Sequence, residues 1–376
     1  MKQGWIENKL EECLRLKSGD ALISKVMNEN GEYPVFGGNG IAGLHNEFNL
    51  QGSNVIIGRV GALCGNVRHL IGKIWLTDNA FRVVDLYNKF DHSFLTYLLN
   101  FKNLRSYARQ AAQPVISNSS LKDVLLYFPE SIEEQQRIVA KLDEAFEAIE
   151  KAKANAEHNL KNAKELFESY LQAIFENKGK AWEEKTLGEI SKDFGRGKSK
   201  HRPRNWDKLY GGDYPFIQTG DIRNCNHVIT EYTQTYSDIG LAQSKLWPAG
   251  TICITIAANI AETGVLTFNA CFPDSVIGLV VNDKFADRDY VEYLLQSFKS
   301  RLQALGKGSA QDNINLKTFE NRLFPFPKVS EQQTIVQKLD AISAETKKLE
   351  AIYHKKLEDL EELKKSILQK AFSGQL

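Results

Sequence analysis

Between Glu130 and Lys178 the chain contains neither Pro nor Gly, and its apolar positions fall in alternating steps of four and three residues. They are Ile138, Leu142, Ala145, Ile149, Ala152, Ala156, Ala163, Leu166 and Tyr170. The stretch between Lys328 and Ser373 repeats the pattern with Ile335, Leu339, Ile342, Thr346, Leu349, Tyr353, Leu360, Leu363 and Ile367. Uninterrupted periodicity of this kind predicts two long helices carrying a heptad-like seam. At 1.5 Å per residue each helix would be about 69 Å long, more than a compact domain covers, so the two are expected to pack on one another. Small side chains dominate the first seam and larger ones the second, which suits close approach of two unlike helices. Asn159 and Lys356 stand at the same apolar-periodic position, either fixing register or marking a shift of the seam to Leu160 and Leu357.

The remaining parts, 1–129 and 179–326, are patterned differently. Short aliphatic and β-branched runs at 54–58, 75–76, 81–84, 251–256 and 275–281 are bounded by Gly, Asn and Asp, which predicts strands and turns. Helical stretches are expected at 93–100 and 290–305. The fold class is α+β, with four segments: 1–129, 130–178, 179–326 and 327–376.

These segments form two copies of one unit. Residues 130–175 align without a gap onto 327–372, sharing Glu134-Gln135-Gln136 with Glu331-Gln332-Gln333 and Lys141-Leu142-Asp143 with Lys338-Leu339-Asp340. The match resumes at Leu171-Gln172 and Leu368-Gln369, and at Phe175 and Phe372. Upstream, Gln113 and Ile116 repeat as Gln311 and Ile314, and Phe128-Pro129 as Phe326-Pro327. The globular parts themselves match loosely.

Composition excludes several classes. Hydrophobic residues at 42% and charged residues at 25% fit a soluble globular chain. The strongest apolar run, 251–261, is shorter than the roughly 20 residues of a membrane helix, and the first residues carry no apolar signal core, so a cytoplasmic location is expected. Five cysteines lack CxxC spacing or His partners, giving no metal site. Gly197-Lys198-Ser199 resembles the end of a phosphate loop, but Lys192 stands where the first glycine is required. No methyltransferase or nuclease signature is present, and no catalytic residue is assigned.

Net charge is only +1, yet charge is unevenly placed. Arg196, Lys198, Lys200, Arg202 and Arg204 put five cations, with His201 among them, into nine residues interrupted by Gly and Pro. Such a loop suits phosphate contact or groove entry, although a solvated surface loop has the same composition. Arg59, Arg68 and the pair Arg105/Arg109 are the candidates in the first copy. Gln113, Gln311, Asn313 and Asn315 are amides able to pair with adenine, though such residues also cap turns.

The repeated Glu-Gln-Gln-x-Ile-Val-x-Lys-Leu-Asp segments, the Phe-Pro or Pro closures before them and the Leu-Gln-x-Ala/Ile-Phe helix ends resemble the specificity subunit of type I restriction–modification systems. Both copies also carry a Tyr-Pro element, Tyr33-Pro34-Val35-Phe36 and Tyr214-Pro215-Phe216-Ile217. The second continues through Gln218-Thr219-Gly220-Asp221-Ile222 toward Arg223, and Gln218 and Arg223 join the DNA-binding candidates there. The resemblance implies two target-recognition domains, 1–129 and 179–326, separated by two spacer helices, 130–178 and 327–376, packed as an antiparallel coiled coil. It implies recognition of a bipartite asymmetric site in double-stranded DNA, without catalysis by the chain itself. Two methylation subunits and two restriction subunits would dock on it, using S-adenosylmethionine, ATP and Mg2+ of their own. A coiled-coil interaction protein with two binding domains, or a methyltransferase with unrecognised motifs, are the competing readings.

Overall fold

The computed structural model describes residues 2–109, 113–200, 205–257, 260–306 and 316–376. The chain separates into two units, one of residues 1–157 with 354–376 and one of residues 158–353. Both long helices form, Ile132–Glu176 and Val329–Phe372, and each contributes one part to each unit. Ser131 starts the first helix by accepting a hydrogen bond from the Glu134 N–H at 3.2 Å, which satisfies one of the unpaired amides of the first turn.

In the first unit, four antiparallel strands lie in the order Leu14–Ser18, Ala80–Leu86, Ser53–Gly58, Val67–Ile71. A second sheet joins Gly40–His45, Tyr33–Gly37 and Trp75–Leu76. The strand Trp5–Lys9 pairs antiparallel with Leu125–Pro129, so the start of the globular part is fastened to its end. Alternation along Ser53–Gly58 puts Val55 and Ile57 into one core with Phe81, Phe94, Leu95, Leu98 and Phe128. Ile138 and Leu142 from the start of the first long helix complete that core, together with Ala371 and Phe372 from the end of the second.

The second unit repeats this topology. Ser191–Arg196, Val276–Val281, Ile252–Thr255 and Thr263–Leu266 stand in the corresponding order, and His227–Ile229 adds a parallel edge strand. Glu183–Lys185 pairs with Phe324–Phe326 as the equivalent closure. Its core takes Ile335 and Leu339 from the start of the second long helix, with Leu171 and Phe175 from the end of the first. Each globular part therefore holds the beginning of one helix and the end of the other. This explains why the Leu-Gln…Phe ends repeat as faithfully as the Glu-Gln-Gln starts.

Of the expected seam, Ile138, Leu142, Ile149, Ile335 and Leu339 are buried, and Tyr170, Ile342, Tyr353, Leu360 and Ile367 are half-buried. Three others are not inside: Leu166 is 55% exposed, Leu349 37% and Leu363 47%. Along most of each helix the inward positions keep a seven-residue spacing, as in Ile149, Ala156, Ala163 and Tyr170 and in Thr346, Tyr353, Leu360 and Ile367, but the second inward position of each heptad comes four residues after these and not three. The place passes one residue later, to Phe167, Glu350 and Lys364. In the first unit the two helices exchange the ion pairs Lys153–Glu361 at 2.7 Å and Lys364–Glu150 at 2.9 Å. Both pairs are substantially exposed and screened by solvent, so they add little to stability.

Candidate nucleic-acid interface

The first unit gathers several of the sequence candidates at one group of loops. Gly38 sits so close to the 58–61 and 77–79 segments that a Cβ there would lie 2.0 Å from the Val60 carbonyl oxygen. Only glycine lets the hairpin tip between Tyr33–Gly37 and Gly40–His45 fold down onto them. Asn39 then accepts the Leu63 N–H at 2.9 Å. Gln113 is exposed and borders a hollow of about 250 Å3 with residues 37–42, Val60 and Asn79. Arg59 lies beside it, its backbone paired with Asn79 and Ile116.

The Arg59 side chain is more constrained than a free phosphate-contacting cation. Its Nη1 donates to Ser18 Oγ at 3.3 Å and the Asp78 carbonyl at 3.4 Å, and the guanidinium covers the Phe81 ring at 5.3 Å. Arg68 pairs across the sheet with Ile56, whose other neighbour is Arg82, and Arg82 in turn faces Lys17. Cross-strand partners share a face, so Lys17, Arg82 and Arg68 form one basic row. Arg68 Nη1 is buried without a hydrogen-bond partner, and the guanidinium lies against Gly40. Arg105 donates to the Ala62 carbonyl and Arg109 pairs through its backbone with Val115, so both belong to the same loops. Sequence reading missed Lys17, Arg82, Asn39 and Asn79, because strand register for the first two and loop packing for the asparagines, not local composition, brings them here.

In the second unit the basic run begins as the end of a strand. Arg196, Lys198 and Lys200 are exposed while Gly197 and Ser199 are buried, a period-two alternation that turns all three cations outward. A Cβ on Gly197 would lie 2.3 Å from the Phe272 carbonyl oxygen, so the backbone is held down at that point. Ser244 Oγ adds a hydrogen bond to the Lys198 carbonyl at 2.8 Å. Arg196 Nε donates to the Asp274 carbonyl at 2.7 Å. His201, Arg202 and Arg204, like Gln311, Asn313 and Asn315, lie outside the described residues. Gln218 caps the helix Thr219–Asn224, with its N–H on Asp221 at 2.8 Å and its amide on Gln234 at 2.7 Å. Arg223 is exposed on that helix.

The repeated segment does not face these loops. Gln135 is fully buried: it accepts the Asp91 N–H at 2.9 Å and donates to the carbonyls of Pro129 at 2.9 Å and Lys89 at 3.2 Å. Gln332 does the same with Asp287 at 2.8 Å, Pro327 at 2.8 Å and Phe285 at 3.3 Å. Tyr97 donates to Asp143 and Tyr293 to Asp340, each at 2.6 Å. Burial first, then these carboxylates, push both phenols well above their ordinary pKa, so they remain donors. The first Gln and the Asp of the repeated motif thus tie each helix start to the helix and loop before it.

Burial pushes the Cys13 and Cys225 thiols up to about 11, so neither supplies a thiolate near neutral pH. Among the described residues no group of three or more His, Cys, Asp or Glu is placed to hold a metal, and no helix is long and apolar enough to cross a membrane.

The sequence matches the family model of the type I restriction modification DNA specificity domain twice, over residues 2–157 and 179–360. It is 36% identical over 149 residues to the specificity subunit of the type I restriction enzyme EcoprrI of Escherichia coli, a stretch covering 38% of this chain and 37% of that relative. It is 24% identical to the putative type I restriction enzyme MjaX specificity subunit of Methanocaldococcus jannaschii, over 100% of this chain and 83% of the relative. Among solved structures, a chain from work on complex assembly and conformational transition of the type I R-M system superposes with a TM-score of 0.79 at 20% identity, covering 100% of this chain and 99% of the other. The HsdS subunit from Thermoanaerobacter tengcongensis superposes with a TM-score of 0.66 at 20% identity, covering 100% and 98%. At that identity these two establish a shared fold. With both of its halves matched by one family model, the chain belongs to the type I restriction–modification DNA specificity family and is a specificity subunit with two target-recognition domains.

Proposed function

We propose that the two recognition domains read the two halves of a bipartite, asymmetric DNA site, and that the chain contributes recognition while partner subunits contribute chemistry. The observation that carries this reading is the contrast within each copy. Gln135 and Gln332, Tyr97 and Tyr293, and Phe372 and Phe175 repeat the same anchoring, whereas the basic row of the first unit and the outward Arg196, Lys198 and Lys200 of the second differ in sequence and position. A repeated anchor with unlike reading faces suits one scaffold that presents two different half-site readers. In the first copy, loop amides and Arg68 would meet base edges while Lys17 and Arg82 meet phosphates.

The partners that fit are double-stranded DNA, two methylation subunits and two restriction subunits, with S-adenosylmethionine, ATP and Mg2+ bound by those partners. An approximate repeat within one chain offers two like docking surfaces to two copies of one partner. Genome-wide mapping of methylated adenines in cells expressing this chain with a methylation subunit tests the reading. It predicts one asymmetric motif of two halves with a fixed gap. A palindromic motif, or methylation without sequence preference, would overturn it.

A further inference from the structure

The junction between globular part and long helices is built twice, and the two versions differ. In the first unit it is filled. Phe146 packs edge-on against Tyr97 at 5.7 Å, Lys364 covers Phe146 at 5.2 Å, and Lys364–Glu150 and Lys153–Glu361 close the surface. The repeat places Ser343 where Phe146 stands, Lys347 for Glu150, Glu350 for Lys153, Phe167 for Lys364 and Lys164 for Glu361. In the second unit the plug is gone and the charges are rearranged. What remains is a cleft of about 1040 Å3 lined by Phe167, Tyr293, Val265, Ser343 and Glu292 among others.

Glu292 is the second difference, since its counterpart in the first unit is Thr96. It is 5% exposed and lines the cleft. One carboxylate oxygen collects every donor: Thr263 Oγ1 at 2.5 Å, His227 Nδ1 at 3.0 Å and Gln296 Nε2 at 3.4 Å. The other oxygen, Oε2, is buried and has no hydrogen-bond partner. His227 reaches Glu292 from a costly backbone, because it and Asn226 both have positive φ, 70° and 47°. Strain held beside a half-satisfied buried carboxylate is the arrangement of a site awaiting a donor. The cleft lining carries five carboxylates, Glu168, Asp289, Glu292, Asp340 and Glu350, against three cations, Lys164, Arg288 and Lys347. With His227 neutral that is an excess of two negative charges, and the same lining includes the Phe167 and Tyr293 rings, whose centroids are 6.1 Å apart.

We propose that this cleft is a binding site for a linear aliphatic diamine, one per chain. One ammonium donates to Glu292 Oε2, presented by a small turn about the soft terminal torsion of the side chain. The methylene stem lies along Phe167 and Tyr293, and the second ammonium is balanced by Glu168 and Glu350 at the helices. A bare divalent cation is a poorer fit, because among the described residues no three ligating side chains converge. The inference is independent of how the chain reads DNA. Its consequence is a ligand that ties the globular part of the second unit to the helix segments of that unit.

The test is isothermal titration calorimetry of the full chain with 1,4-diaminobutane, repeated with magnesium chloride at matched ionic strength. Saturable binding of one equivalent is expected, without a matching magnesium isotherm. Glu292→Gln should weaken it about tenfold or more, the effect of losing a charged hydrogen bond. Ser343→Phe, which restores the plug and leaves the carboxylate in place, should abolish it even if Glu292→Gln folds poorly. Phe146→Ser in the first unit should leave the wild-type site unchanged. No saturable binding by the wild-type chain, an equal magnesium isotherm, or wild-type affinity in Ser343→Phe would overturn the proposal.

Discussion

Replacing Gln332 by Leu removes the anchor of the second helix start while keeping side-chain volume. The buried amide makes three hydrogen bonds, two of them at 2.8 Å and one at 3.3 Å. Each contributes about 0.5–1.5 kcal/mol net, and the Asp287 N–H and two carbonyls would be left without partners in a protein interior, so the expected loss is about 3 kcal/mol. For a unit of this size that corresponds to a melting point lower by roughly 6–12 °C. Gln333 is the internal control. It is the neighbouring residue of the same repeated motif but is exposed, and Gln333→Leu should change stability by less than about 0.5 kcal/mol. Thermal unfolding followed by circular dichroism measures both. A Gln332→Leu protein that melts within 2 °C of wild type, or equal losses for the two variants, would refute the account of why the motif repeats.

Further outcomes follow from the same geometry. Changing Arg196, Lys198 and Lys200 together to Ala should flatten the dependence of log affinity for DNA on log salt by up to about 2.7, at roughly 0.9 per phosphate contact, as read by fluorescence anisotropy; an unchanged slope would return this strand end to an ordinary solvated surface. Because burial raises the Tyr97 and Tyr293 phenols, their contribution to stability is complete below the unfolded-state pKa of about 10 and is lost as pH climbs toward the higher folded values. Urea unfolding should therefore show wild-type stability falling above about pH 10, and falling less steeply in Tyr293→Phe. Gln113→Ala and Arg68→Ala should relax base preference in one half of the methylated motif only, with each lost base contact worth about 1–3 kcal/mol of discrimination. Changes in both halves would remove these residues from the reading face.

The long helices were legible because breakers are absent and the period is sustained, and the duplication was legible because the anchoring residues must satisfy the same geometry twice. The inward face was legible only in part. Leu166 and Phe167 are both apolar, so periodicity allowed either, and three-dimensional packing chose Phe167. The two adjacent glutamines of each motif are chemically alike, and nothing local says that Gln135 is buried while Gln136 is exposed. On the proposed reading face of the first unit, Arg59 and Gln113 stand out by residue type, but Lys17, Arg82 and Asn79 join them through strand pairing and loop closure at long sequence separation. The Glu292–His227–Thr263 group needed three distant segments and a strained backbone, and left no local pattern.

If one anchored scaffold carries two independent readers, residues 1–129 can be exchanged for the corresponding region of a relative with a different motif. The junction falls at Pro129, before Gln135, whose partners are backbone groups of residues 89, 91 and 129, so an incoming region that repeats that backbone geometry, as the second unit does around Gln332, can receive the helix start. Mapping of methylated adenines should then show one half of the motif replaced, with the other half and the gap retained. Simultaneous change of both halves, or a motif unchanged despite the exchange, would contradict the account.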